Sequence, residues 1–229
     1  MKIWLYSELA AKVNMDLDLM DESFITSSEL IGYCNEAIED AEAEILKINE
    51  DYFLSSATMA WTAGTSLYAL PSDIYISKIR SLMYVNGTDV YAIKRIRTMD
   101  EFENITEIAN FEPNAQYQYI VRNASAAAGI QVQVFPAPRN TGTFVTAWYI
   151  RSANRISVTT DPLDIPEFAS FIMQFMKVRC YEKEGHPNLQ MAIGALDKQR
   201  TLMIESLTEM VPDNNNQVPC DFSHYSDHT

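Results

Sequence analysis

The chain is short of several things. It has three cysteines in 229 residues, and they are scattered: Cys34, Cys180 and Cys220. A disulfide scaffold needs a denser and paired set, so an odd, sparse trio fits a reducing compartment. It has three histidines, His186 in a helix-breaking loop and His224 and His228 near the end, which is thin material for acid–base or metal chemistry. Seven glycines include no glycine-rich fingerprint: Gly64 and Gly142 stand in turn contexts, so no phosphate loop is present. There is no nucleophile elbow for serine catalysis. No apolar run approaches 18 residues, which predicts no bilayer-spanning helix. The opening MKIWLYSELAAKVNMDLD turns acidic too soon for a signal peptide. Basic residues are also scarce, 17 against 31 acids, for a formal charge of -14 and a pI near 4.5. That argues against a free-standing basic binder of nucleic acid or anionic membrane, but does not exclude a neutral or repelling channel through which DNA passes.

What the chain does have is apolar mass, 47% of residues, enough to bury a large core. Its periodicity changes twice. Residues 4–14 predict a first helix with Leu5, Leu9, Ala10 and Val13 on one side, followed by an acidic loop from Asn14 to Glu22. Thr26 with Glu29 forms a capping-box pattern opening a helix over 27–49. Leu30, Cys34, Ala37, Ile38, Ala41, Ile45 and Ile48 make its stripe, and Glu36, Glu39, Asp40, Glu42 and Glu44 occupy other faces. From about 56 the period changes, and Trp61 to Pro71 reads as a turn and a short strand ended by proline. Asn86-Gly87 predicts a tight hairpin between 74–85 and 88–97, with Met83 facing Val90 and Leu82 facing Tyr91. Thr98 with Glu101 predicts a short helix over 99–108. Residues 117–122 and 129–135 predict a second hairpin, in which Ile130, Val132 and Val134 alternate with Gln131 and Gln133. Pro136 and Pro138 end it, and a strand over 143–150 follows. Asp164-Ile165-Pro166-Glu167 reads as an N-cap with proline in the first turn. The helix it opens runs to 184, lined by Phe168, Phe171, Ile172, Phe175 and Val178, until Gly185-His-Pro187 breaks it. A last helix covers 189–210 with Leu189, Ile193, Leu196, Met203, Leu207 and Met210 on one side, before a polar, Asn-rich tail.

These elements predict an α+β fold: terminal helices packed as an approximately four-helix bundle with an inserted antiparallel β-sandwich or barrel-like lobe. The expected domains are 1–55 with 160–211 for the bundle, 56–159 for the β-rich insertion and 212–229 for an extended tail. Both faces of the 74–97 hairpin are apolar, as a sandwich, a barrel or a subunit contact requires.

Candidate chemistry is sparse. Cys220, Asp221, His224 and His228 lack the paired cysteine spacing of a zinc site. The cluster Asp16, Asp18, Asp21 and Glu22 lacks the glycine and spacing of a calcium loop, and a solvated acidic face explains it more simply. No catalytic residue, metal or cofactor is expected. Charge is unevenly spread. Residues 1–60 hold 13 acids against three bases, whereas Lys78, Arg80, Lys94, Arg95, Arg97, Arg122, Arg139, Arg151 and Arg155 occupy the β region and its exit. The asymmetry suits head-to-side contact between like subunits, the acidic bundle beside the less acidic lobe, although ordinary surface variation also produces it. Trp61, Trp148 and Tyr149 are candidate interface aromatics, or plain core.

An ordered set of segments carries a resemblance. Leu30-Ile31-Gly-Tyr33-Cys-Asn35-Glu36-Ala37-Ile38 lies in the capped acidic helix. Next comes Ala63-Gly64-Thr65-Ser66-Leu67-Tyr68-Ala69-Leu70-Pro71-Ser72-Asp73. Then follow Met99-Asp-Glu-Phe102, Tyr119-Ile120, Phe135-Pro136-Ala137-Pro138, Ala147-Trp148-Tyr149 and Ile165-Pro166-Glu167. Together, over roughly 1–210, this resembles the head-to-tail adaptor proteins of tailed bacteriophages, in particular the tail tubular (collar) adaptors of short-tailed phages. The resemblance implies a non-enzymatic virion component of the tail/neck region, assembled in the host cytoplasm. It implies a homo-oligomeric ring, usually of twelve copies, between portal protein and tail nozzle, with genomic DNA passing through its lumen and no membrane contact. It places portal or neighbour contacts at Val211, Pro212, Val218, Phe222 and Tyr225, and inter-subunit or nozzle contacts at Trp61, Arg80, Tyr84, Arg95, Arg97, Arg139 and Trp148. It also implies inter-subunit packing by the helices 27–49 and 165–184. The density of acids adds Asp16, Asp18 and Glu39 as lumen-lining candidates that would repel the phosphate backbone. The competing readings are a head-completion connector of long-tailed phages and a non-viral soluble helix-β-helix protein.

Overall fold

The computed structural model describes residues 2–17, 24–86, 88–96, 117–125, 129–138 and 144–210. The chain divides into two compact units, Met1–Asn49 with Arg155–Thr229, and Glu50–Asn154. Four helices, two from each end of the chain, pack together, and a curled seven-stranded sheet, a half-barrel, is inserted between them in sequence.

In the helical unit, α1 (Tyr6–Leu17) buries Tyr6, Leu9 and Val13. It runs on past residue 14, where the sequence predicts a loop, and its buried period starts at Tyr6 rather than Leu5. The Thr26 capping box opens α2 (Ser27–Ile48): Glu29 N donates to Thr26 Oγ1 (3.3 Å) and Thr26 N donates to Glu29 Oε2 (2.8 Å). The predicted stripe is buried from Leu30 to Ile45. Glu42, expected on a solvated face, is instead 2% exposed and bonded to Arg155 Nη2 at 2.7 Å. The 3-10 turn Pro166–Phe168 leads into α3 (Ala169–Glu184). Ile165, not Asp164, stands at its N-cap and no side chain caps it; proline in the first turn supplies the helical φ instead. α3 packs against α1, α2 and α4 (Leu189–Met210). With partners on three sides its buried set widens to Met173, Met176 and Cys180, while Phe175 and Val178 are only half-buried. Gly185 ends α3 with φ of 65°, a left-handed cap that favours glycine. α4 buries Ala192, Met203 and Leu207, and leaves Met210 exposed. Asn35 locks the segment leading to α3: its amide donates to Ile156 O (2.9 Å) and its Oδ1 accepts from Ile156 N (2.7 Å).

The β unit has the strands β1 (Leu54–Ala60), β2 (Leu67–Ala69), β3 (Ile74–Asn86), β4 (Asp89–Arg95), β5 (Gln118–Ser125), β6 (Gly129–Phe135) and β7 (Phe144–Arg151), in the order β1-β7-β3-β4-β5-β6-β2. All neighbours are antiparallel except β4 and β5, which run parallel over a two-residue ladder, so the expected antiparallel lobe is a mixed sheet. The sequence predicts no strand over 54–60; with Leu, Ser, Thr, Met and Ala it has little hydrophobic alternation to show. The 74–97 hairpin forms in another register. Leu82 pairs with Ile93, Met83 with Ala92, Tyr84 with Tyr91 and Val85 with Val90. The return strand is displaced by two residues, a slip that keeps every side chain on its face, so the apolar pattern does not select against it. The observed register sets Tyr84 against Tyr91 (ring centroids 6.2 Å apart) and valine against valine. On the inner face Trp61 stacks on Tyr68 at 5.4 Å and meets Tyr84 and Tyr117. Leu82, Ile93, Val132, Val134, Val145 and Ala147 complete this core. The helix predicted over 99–108 lies outside the described residues.

Candidate functional site

β3 is irregular where it matters. Between its pairings Ile74↔Arg151 and Ile79↔Tyr149 it advances five residues to its partner's two, and a second bulge follows before Ser81. Bulges re-aim side chains. Here the residues bulged out of the ladder include Lys78 and Arg80. Lys78 Nζ reaches Glu50 Oε1 at 2.9 Å, and Arg80 reaches Glu50 Oε2 and Asp51 Oδ1, both at 2.6 Å. Hydrogen bonds from Lys78 and Arg80 hold the Glu50 carboxyl below its ordinary range.

β4 pairs with β3 only as far as Ile93, then turns to run beside β5 from Lys94. The sheet splays there. A cleft of about 860 Å³ opens, lined by Ile79 and Arg80 on one wall and by Lys94, Arg95, Ile96, Tyr119, Ile120 and Val121 on the other. Tyr119 forms its floor: burial pushes the phenol's pKa up, with the Arg95 charge working against it. Arg80 is compensated by Glu50 and Asp51. Lys94 and Arg95 are exposed and make no ion pair among the described residues.

The outer face of the same sheet has a different character. Trp148, 37% exposed, lies between Ser56 on β1 and Ser81 on β3, and Leu54 and Val90 are exposed on flanking strands. β1 itself, LSSATMA, has no charge, no proline and an unbroken register with β7. Sheet edges are ordinarily guarded by a charge, a proline or a bulge, and β1 has none of these. This face is apolar, the cleft cationic.

The candidate residues fall in different places. Arg80 and Arg95 share the cleft. Tyr84 is half-buried in the aromatic cluster. Trp61 is 2% exposed, so its indole is spent on the core of the β unit, whereas Trp148 is open. Tyr149 is buried and its hydroxyl donates to Asp73 Oδ1 at 3.0 Å. In the helical unit Asp16 is ion-paired with Lys177, and Glu39 is exposed. Arg97, Arg139, Asp18, Val211, Pro212, Val218, Phe222 and Tyr225 lie outside the described residues, as do Cys220, Asp221, His224 and His228. His186 stacks on Tyr181 with ring centroids 4.5 Å apart. The splay that joins Lys94 to Arg80 has no local signal, because it depends on β4 changing partners. Among the described residues no group of three or more His, Cys, Asp or Glu could hold a metal ion, and no helix is long and apolar enough to cross a membrane.

Among the described residues the two-unit fold presents an apolar sheet face and a cationic cleft. Residues 5–219 match the family described as SU10 adaptor protein, and no curated protein matches the chain. The chain belongs to the SU10 adaptor family: it is a structural, non-enzymatic adaptor of the head-to-tail apparatus of tailed phages, located in the tail/neck of the virion, where it meets portal and tail components.

Proposed function

We propose that copies of this chain assemble as a ring, twelve in number, joining the portal to the tail nozzle, with genomic DNA leaving through its lumen. The observation that carries this reading is the family match over residues 5–219. The uncharged outer face around Trp148, Leu54 and Val90 supports it, because a ring contact covers apolar area that a lone chain leaves in water. In this reading residues 1–55 with 160–211 build the bundle, 56–159 carry the contacts to neighbours or nozzle, and 212–229 reach the portal. The lumen lining includes Asp16, Asp18 and Glu39. Of the two described, Glu39 contributes more than Asp16, which Lys177 already neutralises. An acidic wall keeps DNA from adhering: fixed phosphate contacts would each add salt-dependent affinity, and a conduit must not grip its cargo. The repulsion acts only at short range, screened beyond about 8–10 Å at physiological salt.

Electron microscopy of the purified chain, alone and with its portal, tests the ring. The expected outcome is a twelvefold annulus seated on the portal. A chain that remains solitary beside the portal overturns it.

A further inference from the structure

The charge of this protein is segregated by element. Its seven strands carry one acid, Asp89, against Lys78, Arg80, Lys94, Arg95, Arg122 and Arg151, in a chain whose net charge is -14. The cleft of the β unit holds Lys94 and Arg95, which make no ion pair among the described residues, above an apolar lining of Ile79, Ile96, Ile120 and Val121. A complementary occupant must combine apolar side chains with free carboxylates.

The helical unit offers one described surface of that kind. Most acids of α2 are already matched within the unit: Glu29 by Lys183, Glu36 by Arg179, Asp40 by Arg200 and Glu42 by Arg155. Glu39 is left over, but α2 exposes no large apolar side chain. On α4, Leu202 is 45% exposed, and Glu205 and Glu209 follow at spacings of three and four, which puts all three on one face. Both carboxylates are exposed and make no ion pair among the described residues. Met210 extends the exposed apolar surface at the helix end.

We propose that the cleft between β3 and β4–β5 receives helix α4 of a neighbouring copy, with Leu202 on the apolar lining and Glu205 and Glu209 paired to Lys94 and Arg95. The inference rests on the ring reading above and names its contact. Because the two surfaces are distinct, each copy can offer a cleft to one neighbour and a helix to the other, the heterologous arrangement that closes a ring. At -14 per copy, approach through any other acidic face is repulsive, and the cleft supplies the attraction.

The test is a charge swap on the full chain, with assembly in the presence of portal read by native mass spectrometry and the fold of each variant checked by circular dichroism. Lys94→Glu/Arg95→Glu and Glu205→Lys/Glu209→Lys each raise the concentration needed for assembly by about tenfold or more. The quadruple variant, in which each reversed charge again meets its opposite, returns assembly toward the wild-type concentration. Assembly of the Lys94→Glu/Arg95→Glu variant at wild-type concentration overturns the proposal and leaves the ring intact. So does a quadruple variant no better than its parents. Rings that form normally but no longer join the portal assign the cleft to the portal instead. A wild-type chain that forms no ring overturns the ring reading itself. Should a reversal unfold the chain, Lys94→Ala/Arg95→Ala takes its place, with the same tenfold expectation.

Discussion

Ile76 and Ser77 sit in the β3 bulge with φ of 43° and 59°, backbone conformations that a β-branched side chain adopts only under strain. Ile76 is 71% exposed, so it gains little from burial. Ile76→Gly is expected to raise unfolding stability by about 1 kcal/mol, measured by urea titration, by removing the left-handed penalty. No gain would mean that a contact of the isoleucine offsets the strain. A second residue-scale expectation concerns Glu29, whose pKa is lowered to about 2 by the hydrogen bond from Lys183 and then by those from Thr26. A depressed carboxylate stabilises the fold fully above its unfolded value, near 4.5, and that stabilisation fades as pH falls toward 2. Glu29→Gln should therefore flatten the acid limb of stability against pH between those limits while leaving the shape of the profile above pH 6 unchanged. The thiols give a third: burial pushes Cys34 and Cys180 up to about 12. In a Cys220→Ser background neither should react with a thiol reagent at pH 8 until the chain unfolds.

At the scale of elements, the two tryptophans of the β unit separate packing from docking. Trp61 is enclosed by Tyr68, Tyr84 and Tyr117, and Trp61→Ala is expected to cost about 3–5 kcal/mol. Trp148 stands on the outer face, and Trp148→Ala should cost far less in stability, about 1 kcal/mol or under, while weakening assembly. Equal losses of stability would place Trp148 in the core and remove it from the docking surface. The helices were legible in the sequence because their information is local. Thr26 and Glu29 cap α2 from three residues apart, and its stripe repeats on the helical period from Leu30 to Ile45. Glu42 was not legible. Its partner Arg155 is 113 residues away, and nothing near Glu42 distinguishes it from the solvated Glu39. β1 was hidden for a similar reason: Ser55, Ser56 and Thr58 become a strand only because β7 lies beside them. The hairpin shows the intermediate case, since both the predicted and the observed registers put the same residues on the same face.

Over the whole molecule, segregation of charge has a consequence that salt exposes. If copies meet through Lys94, Arg95, Glu205 and Glu209, raising ionic strength screens the attraction, and assembly should weaken from 0.05 M to 0.5 M salt as the Debye length contracts. An assembly that tightens over that range would be held by the apolar face around Trp148 instead. The sequence by itself determined the helix–sheet–helix plan, the capping box that opens α2, the Gly185 stop of α3 and the order of segments that marks the adaptor family, because each of these is written in neighbours a few residues apart. Only the tertiary structure decided that β4 leaves β3 for β5, that the sheet splays there, and that Arg80 and Arg95 line one cleft while Trp61 turns inward and Trp148 outward. Those outcomes depend on which strand lies beside which, and period-two alternation names an apolar face without naming what will cover it.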